Sequence, residues 1–136
     1  MDSDKLLNLA TELGCLLAES GAEISRVEES VYRLLRAYQG EDAQVFAIPS
    51  CLIVSLKAED CRPTTRMRRI RSHGTDIELL EACNALCREL CRTMPPLDEA
   101  RARVGRLPAS CRRHRPATVL LGYAAAPAFF CPLFGG

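Results

Sequence analysis

The sequence predicts an α+β domain followed by an apolar helix of a different kind, and three observations carry this. Two stretches with a helical hydrophobic period open the chain, short β-rich runs replace them after Gly40, and a tail without any charged side chain closes it. At 136 residues, 48% hydrophobic and 26% charged, the chain has the length of one domain with a real core and the composition of a folded protein rather than a disordered one.

The first helix is expected over residues 4–19, where Leu6, Leu9, Ala10, Leu13, Leu16 and Leu17 fall on one stripe. Ser20-Gly21-Ala22-Glu23 interrupts it and fits a capping box for a second helix that reaches about Tyr38, with Ile24, Val27, Val31, Leu34 and Leu35 on its inner face. Gln39-Gly40 ends that helix. Val45-Phe46-Ala47-Ile48 and Cys51 to Leu56 then read as strands separated by Pro49-Ser50, and Thr64 to Arg71 as a third, at an edge and basic on its outer face. The simplest arrangement is a short antiparallel three-stranded meander. A second capping box, Thr75-Asp76-Ile77-Glu78, opens a helix to about Thr93 whose stripe is Ile77, Leu80, Cys83 or Asn84, Cys87, and Leu90 or Cys91. After Pro95-Pro96 a short helix carries Leu97, Ala100, Val104 and Leu107.

The net charge of +1 averages two unlike parts. All Asp and Glu lie before Arg101, whereas Arg101, Arg103, Arg106, Arg112, Arg113 and Arg115 follow within fifteen residues. From Pro116 to Gly136 there is no charge, and these 21 residues approach the length that crosses ~30 Å of hydrocarbon as a helix. A basic flank on the N-terminal side of such a segment keeps that side in the cytoplasm. The expected organisation is therefore a cytoplasmic α+β domain over residues 1–108, a basic linker over 109–116, and the start of a transmembrane helix over 117–136, truncated. Residues 1–115 would face the cytoplasm at the inner membrane, with Arg112, Arg113 and Arg115 against anionic headgroups of the membrane lipid.

Other chemistry finds little support. Met1-Asp2-Ser3-Asp4 is not the basic start of a signal peptide, so the eight cysteines read as reduced thiols at small apolar positions. Cys83, Cys87 and Cys91 recur every four residues and share a helix face, but structural zinc favours CxxC knuckles; a packing stripe is the simpler reading, and no metal site is assigned. His73 and His114 form no argued pairing with a nucleophile, so no catalytic residue is assigned and an enzyme is not expected. No phosphate-binding loop is present and no cofactor is expected. The basic run Arg66–Arg71 lacks the interleaved aromatics of a nucleic-acid surface, so no nucleic acid is expected as partner.

Four segments together resemble the N-terminal domain of the threonine/serine exporter family, which includes the two-component succinate exporters. They are Gly21-Ala22-Glu23-Ile24-Ser25-Arg26-Val27-Glu28, Val45 to Ser50 running into Leu52-Ile53-Val54-Ser55-Leu56, Thr65 to Ile70, and Phe129 to Gly136, the last similar to that family's first membrane helix. The resemblance implies the N-terminal part of a transmembrane exporter of small amino acids or dicarboxylates. It also implies a fragment inactive in transport by itself, with missing transmembrane helices or a partner membrane subunit; a homo-oligomer is compatible with it. Among the matched residues, Arg26 and Glu28 are candidates for substrate binding or coupling, against the plainer reading of a salt-bridged helix surface. A membrane-anchored or soluble interaction domain and a hydrolase-like domain are the alternatives.

Overall fold

A computed structural model of the chain describes residues 2–57, 62–111 and 116–133. The order is α1 (Ser3–Glu19), α2 (Ile24–Ala37), β1 (Glu41–Ile48), β2 (Cys51–Lys57), β3 (Pro63–Arg69), α3 (Ile77–Thr93), α4 (Leu97–Ser110) and α5 (Pro116–Leu133). The predicted α+β class is therefore observed, with β2 at the centre of an antiparallel meander ordered β1-β2-β3.

Alternation along β2 explains the layering. Leu52, Val54 and Leu56 point to the helices and are buried, while Cys51, Ile53, Ser55 and Lys57 point away. Helix α1 lies at the middle of the core: Leu6, Leu7, Leu9, Ala10 and Leu13 are fully buried, and it contacts α2, α3, α4, β2 and β3. Gly14 permits the close approach of β2 and α2 to this helix: a Cβ there would stand 2.5 Å from Leu52 Cδ2 and 2.7 Å from Val31 Cγ2, and those packed side chains would have to shift. The other face of the sheet carries no layer among the described residues. Phe46, Ile53 and Met67 stand opposite one another across the three strands, with Phe46 and Met67 exposed.

Four local expectations are corrected. Ser20 does not cap α2; it ends α1, its hydroxyl donating to the Leu17 carbonyl, and Glu23 takes the N-cap position of α2 without a side-chain capping bond. The break is set instead by Gly21, whose φ of +102° is left-handed and whose position would bring a Cβ to 2.9 Å from the Gly74 carbonyl oxygen. The cap of α3 is Asp76, one residue after Thr75, accepting from the Leu79 N–H. Ile77 lies outside the α3 stripe and is exposed, Leu86 taking a place in the core. Finally, β3 is at an edge, but Arg66 and Arg68 are not on its outer face. They pair in register with Val54 and Leu52 and so point toward α1, where Arg66 bonds Asn8 and pairs with Asp4 while Arg68 reaches Glu12 at 3.7 Å. The acids of α1 draw them under the edge of the helical layer.

Helix α4 returns along α1, held by buried Ala100 and Val104 and by Arg101, which donates from Nε and Nη2 to both carboxylate oxygens of Glu12, its shortest contact being 2.9 Å. Helix α5 is unlike the rest. It packs against no other element among the described residues, and Leu120, Leu121, Tyr123 and Phe129 are exposed on different sides of it. Its 18 residues rise about 27 Å at ~1.5 Å each. No helix among the described residues is long and apolar enough to cross a membrane, so the spanning segment expected over 117–136 is present as an apolar helix without qualifying as a span. Residues 134–136 of the segment expected over 117–136 lie outside the described residues.

Candidate functional site

The two residues singled out on α2 go separate ways. Val27 between them is buried, and the helical turn sends Arg26 outward and Glu28 toward the sheet. Half-buried Glu28 accepts a hydrogen bond of 2.7 Å from the backbone N–H of Ala47 through Oε1. Strand β1 is an edge strand, so that N–H has no strand beside it; Glu28 supplies the acceptor and α2 covers the edge. This gives Glu28 a clear structural task.

Arg26 is exposed and lines a cavity of about 320 Å³ where the α1–α2 turn meets α3. Its walls come from Leu17 of α1, Gly21, Ala22 and Glu23 of the turn, and Leu80, Asn84 and Arg88 of α3. The last three recur every fourth residue and therefore form one face of that helix. Arg88 is the residue that sequence reading missed. Its spacing from Leu80 and Asn84 was legible, but nothing in the sequence brings that face to Arg26. Neither arginine makes an ion pair with a described residue, and Glu23, on the same wall, makes none either.

The cysteine triplet is split by depth. Cys83 and Cys87 are buried and Cys91 is half-buried. Burial pushes the Cys83 and Cys87 thiols up to about 12, with Cys111 and Cys91 respectively as the next influences in the same direction. Burial also raises Cys91. Thiols held this far toward the protonated form are poor nucleophiles and poor metal ligands at neutral pH. Among the described residues no group of three or more His, Cys, Asp or Glu is placed to hold a metal ion. His73 is exposed in the turn before α3. Arg112, Arg113 and Arg115, expected at the membrane surface, lie outside the described residues, as does His114.

The apolar surface of α5 has a concave side formed by Val119, Gly122, Tyr123, Ala126, Pro127 and Phe130, which recur at helical spacing. It is almost wholly apolar and offers no catalytic group.

One comparison with known proteins gives a match. The ThrE family model, described as "Putative threonine/serine exporter", matches residues 8–136, nearly the entire chain. No curated protein and no solved structure matches it. The match runs through the α1–α2 turn, the meander and α5 in one alignment, the segments on which the resemblance rests. The chain belongs to the threonine/serine exporter family.

Proposed function

We propose that residues 1–115 form the cytoplasmic domain of a transmembrane exporter of small amino acids and that α5 inserts in the inner membrane as the first segment of its membrane part. The observation that supports this reading is α5 itself: a helix apolar on every side that packs against no other helix or strand among the described residues. A helix apolar all round is stable inside a protein core or in lipid, and the described elements supply no core for it. Arg112, Arg113 and Arg115 precede it in sequence and match the positive-inside pattern and the anionic inner surface.

A single helix encloses no path, so transport on this reading needs further membrane helices, joined to this domain or supplied by a partner subunit. The family match favours threonine and serine as cargo; dicarboxylates are the related class.

Membrane fractionation tests the placement. The 136-residue chain is expected in the membrane fraction after an alkaline wash, and a form ending at Arg115 is expected in the supernatant with its fold intact. Recovery of the full chain in the supernatant without detergent overturns the membrane reading. Protease added to inverted vesicles should digest residues 1–115, and protection of them there would reverse the orientation.

A further inference from the structure

The cavity at the α1–α2 turn is used by none of the foregoing. It lies where the α1–α2 turn meets α3 and is walled by three ionic side chains from two separate elements: Arg26 and Glu23 at the start of α2, and Arg88 on α3. None of the three forms an ion pair with a described residue, although they share one wall system. Opposite charges that border one cavity without closing on each other leave room for a ligand that carries both signs. The rest of the lining agrees. Asn84 offers an amide, able to donate and to accept, while Leu17, Ala22 and Leu80 supply apolar contact for a short side chain. A volume of about 320 Å³ sits at the small end of ligand pockets, roughly 300–1,000 Å³, which selects a compact molecule.

We propose that this cavity binds a small α-amino acid as its zwitterion, the carboxylate held between Arg26 and Arg88 and the ammonium by Glu23. Guanidinium groups suit the carboxylate because their paired N–H donors match its two oxygens, and two of them from separate helices fix its orientation. Glu23 then distinguishes the zwitterion from a plain carboxylate. None of the lining residues belongs to α5, so binding at this site does not depend on whether α5 inserts in lipid.

Calorimetric and NMR titrations of the full chain in detergent micelles test this with three probes: L-alanine, propionate and ethylamine. L-Alanine is expected to bind saturably, shifting backbone signals of Ala22, Arg26, Asn84 and Arg88; propionate should bind more weakly and ethylamine not at all. Arg26→Gln and Arg88→Gln should each weaken L-alanine about tenfold or more, the effect of losing one charge-assisted bond. Glu23→Gln should weaken L-alanine by about the same factor while leaving propionate undiminished. All three side chains are exposed, so unchanged thermal midpoints will show that the variants fold. Absence of saturable L-alanine binding overturns the proposal, as does binding indifferent to both arginine variants. Propionate binding as tightly as L-alanine, or ethylamine binding at all comparably, overturns the zwitterion assignment. Fractionation reports on α5 independently, so the two readings fail separately.

Discussion

Helices α1 and α5 are nearly equal in length, 17 and 18 residues, and both are rich in Leu and Ala, yet they treat those side chains in opposite ways. In α1 the apolar residues meet five other elements and vanish from the surface. In α5 they meet no other element among the described residues, and six large hydrophobic side chains between Val119 and Phe130 are at least 43% exposed. Left in water, those six forgo on the order of 10 kcal/mol of transfer free energy, at ~1.5–3 kcal/mol for each fully covered side chain. A stability of ~5–15 kcal/mol for a whole domain makes such a concentration on one helix costly unless another apolar phase receives it. Hydrophobic content alone therefore does not say where a helix belongs. What separates the two is polarity around the axis: α1 has Asp4, Lys5, Asn8 and Glu12 on its outer side, each engaged with α4 or β3 or with solvent, and α5 has no such side.

The comparison makes its largest demand on paired leucine truncations. Leu34 is fully buried on α2, so Leu34→Ala should cost about 2–5 kcal/mol of domain stability. Leu121 is 69% exposed, and Leu121→Ala should leave the chemical-denaturation midpoint of the domain unmoved. A loss at Leu121 comparable to that at Leu34 would mean that α5 packs on the domain, and the contrast would fail.

Glycines give a smaller effect with opposite sign. Gly14→Ala places a methyl within 2.5 Å of Leu52 Cδ2 in a filled core, and about 1–3 kcal/mol of destabilisation is expected. Gly122→Ala meets nothing within 4 Å and should raise the helicity of α5 by the ~0.5–1 kcal/mol that separates Gly from Ala in a helix. Circular dichroism in detergent together with denaturation of the domain measures both. Equal responses at the two positions would contradict the idea that one helix is enclosed and the other not.

Much of this organisation was readable from residues. The stripes of α1 and α2 predicted their buried faces because both helices have one apolar and one polar side, and β2 was visible as a β-rich run, whereas its parity was not, since Leu52-Ile53-Val54 is apolar on both faces. The family resemblance added the reading of the whole as the N-terminal part of an exporter. What failed had local physical causes. Ser20 can bond backward to Leu17 as readily as forward, so the same four residues suit a helix end and a helix start. Arg66 and Arg68 looked solvated because arginines at a strand edge usually are; the carboxylates that turn them inward sit on α1, far away in sequence. The convergence of Arg26 and Arg88 is a product of the α2–α3 packing, and neither residue carries a local mark of it.

The enclosed part of the molecule should also announce itself through pH. Burial holds the Cys83 and Cys87 thiols at about 12, above the ~8.5 of an unfolded thiol. Between those values the folded chain keeps protons that the unfolded chain releases, so this contribution is full below about pH 8.5 and is lost as pH rises toward 12. Stability should fall across that window on the order of 1 kcal/mol per pH unit, and Cys83→Ala/Cys87→Ala should flatten the fall. Alkylation at pH 8 should likewise spare both thiols relative to Cys51, which is only half-buried. An unchanged slope in the double variant would remove the thiols from the explanation.

The smallest effect falls on Glu28, where structure and family resemblance offer different roles. If the bond to the Ala47 N–H is its task, Glu28→Gln keeps an acceptor of the same length and should change stability little, whereas Glu28→Ala orphans an edge-strand donor at a cost of about 1 kcal/mol. Hydrogen exchange at Ala47 reports on this directly: protection should persist in Glu28→Gln and fall in Glu28→Ala. A coupling role predicts another pattern, because a charge needed for coupling is lost in both variants. Reconstituted with its membrane helices, a transporter carrying Glu28→Gln would then lose efflux while Ala47 stays protected. Normal efflux and retained protection in Glu28→Gln would instead confine Glu28 to covering the open edge of the sheet.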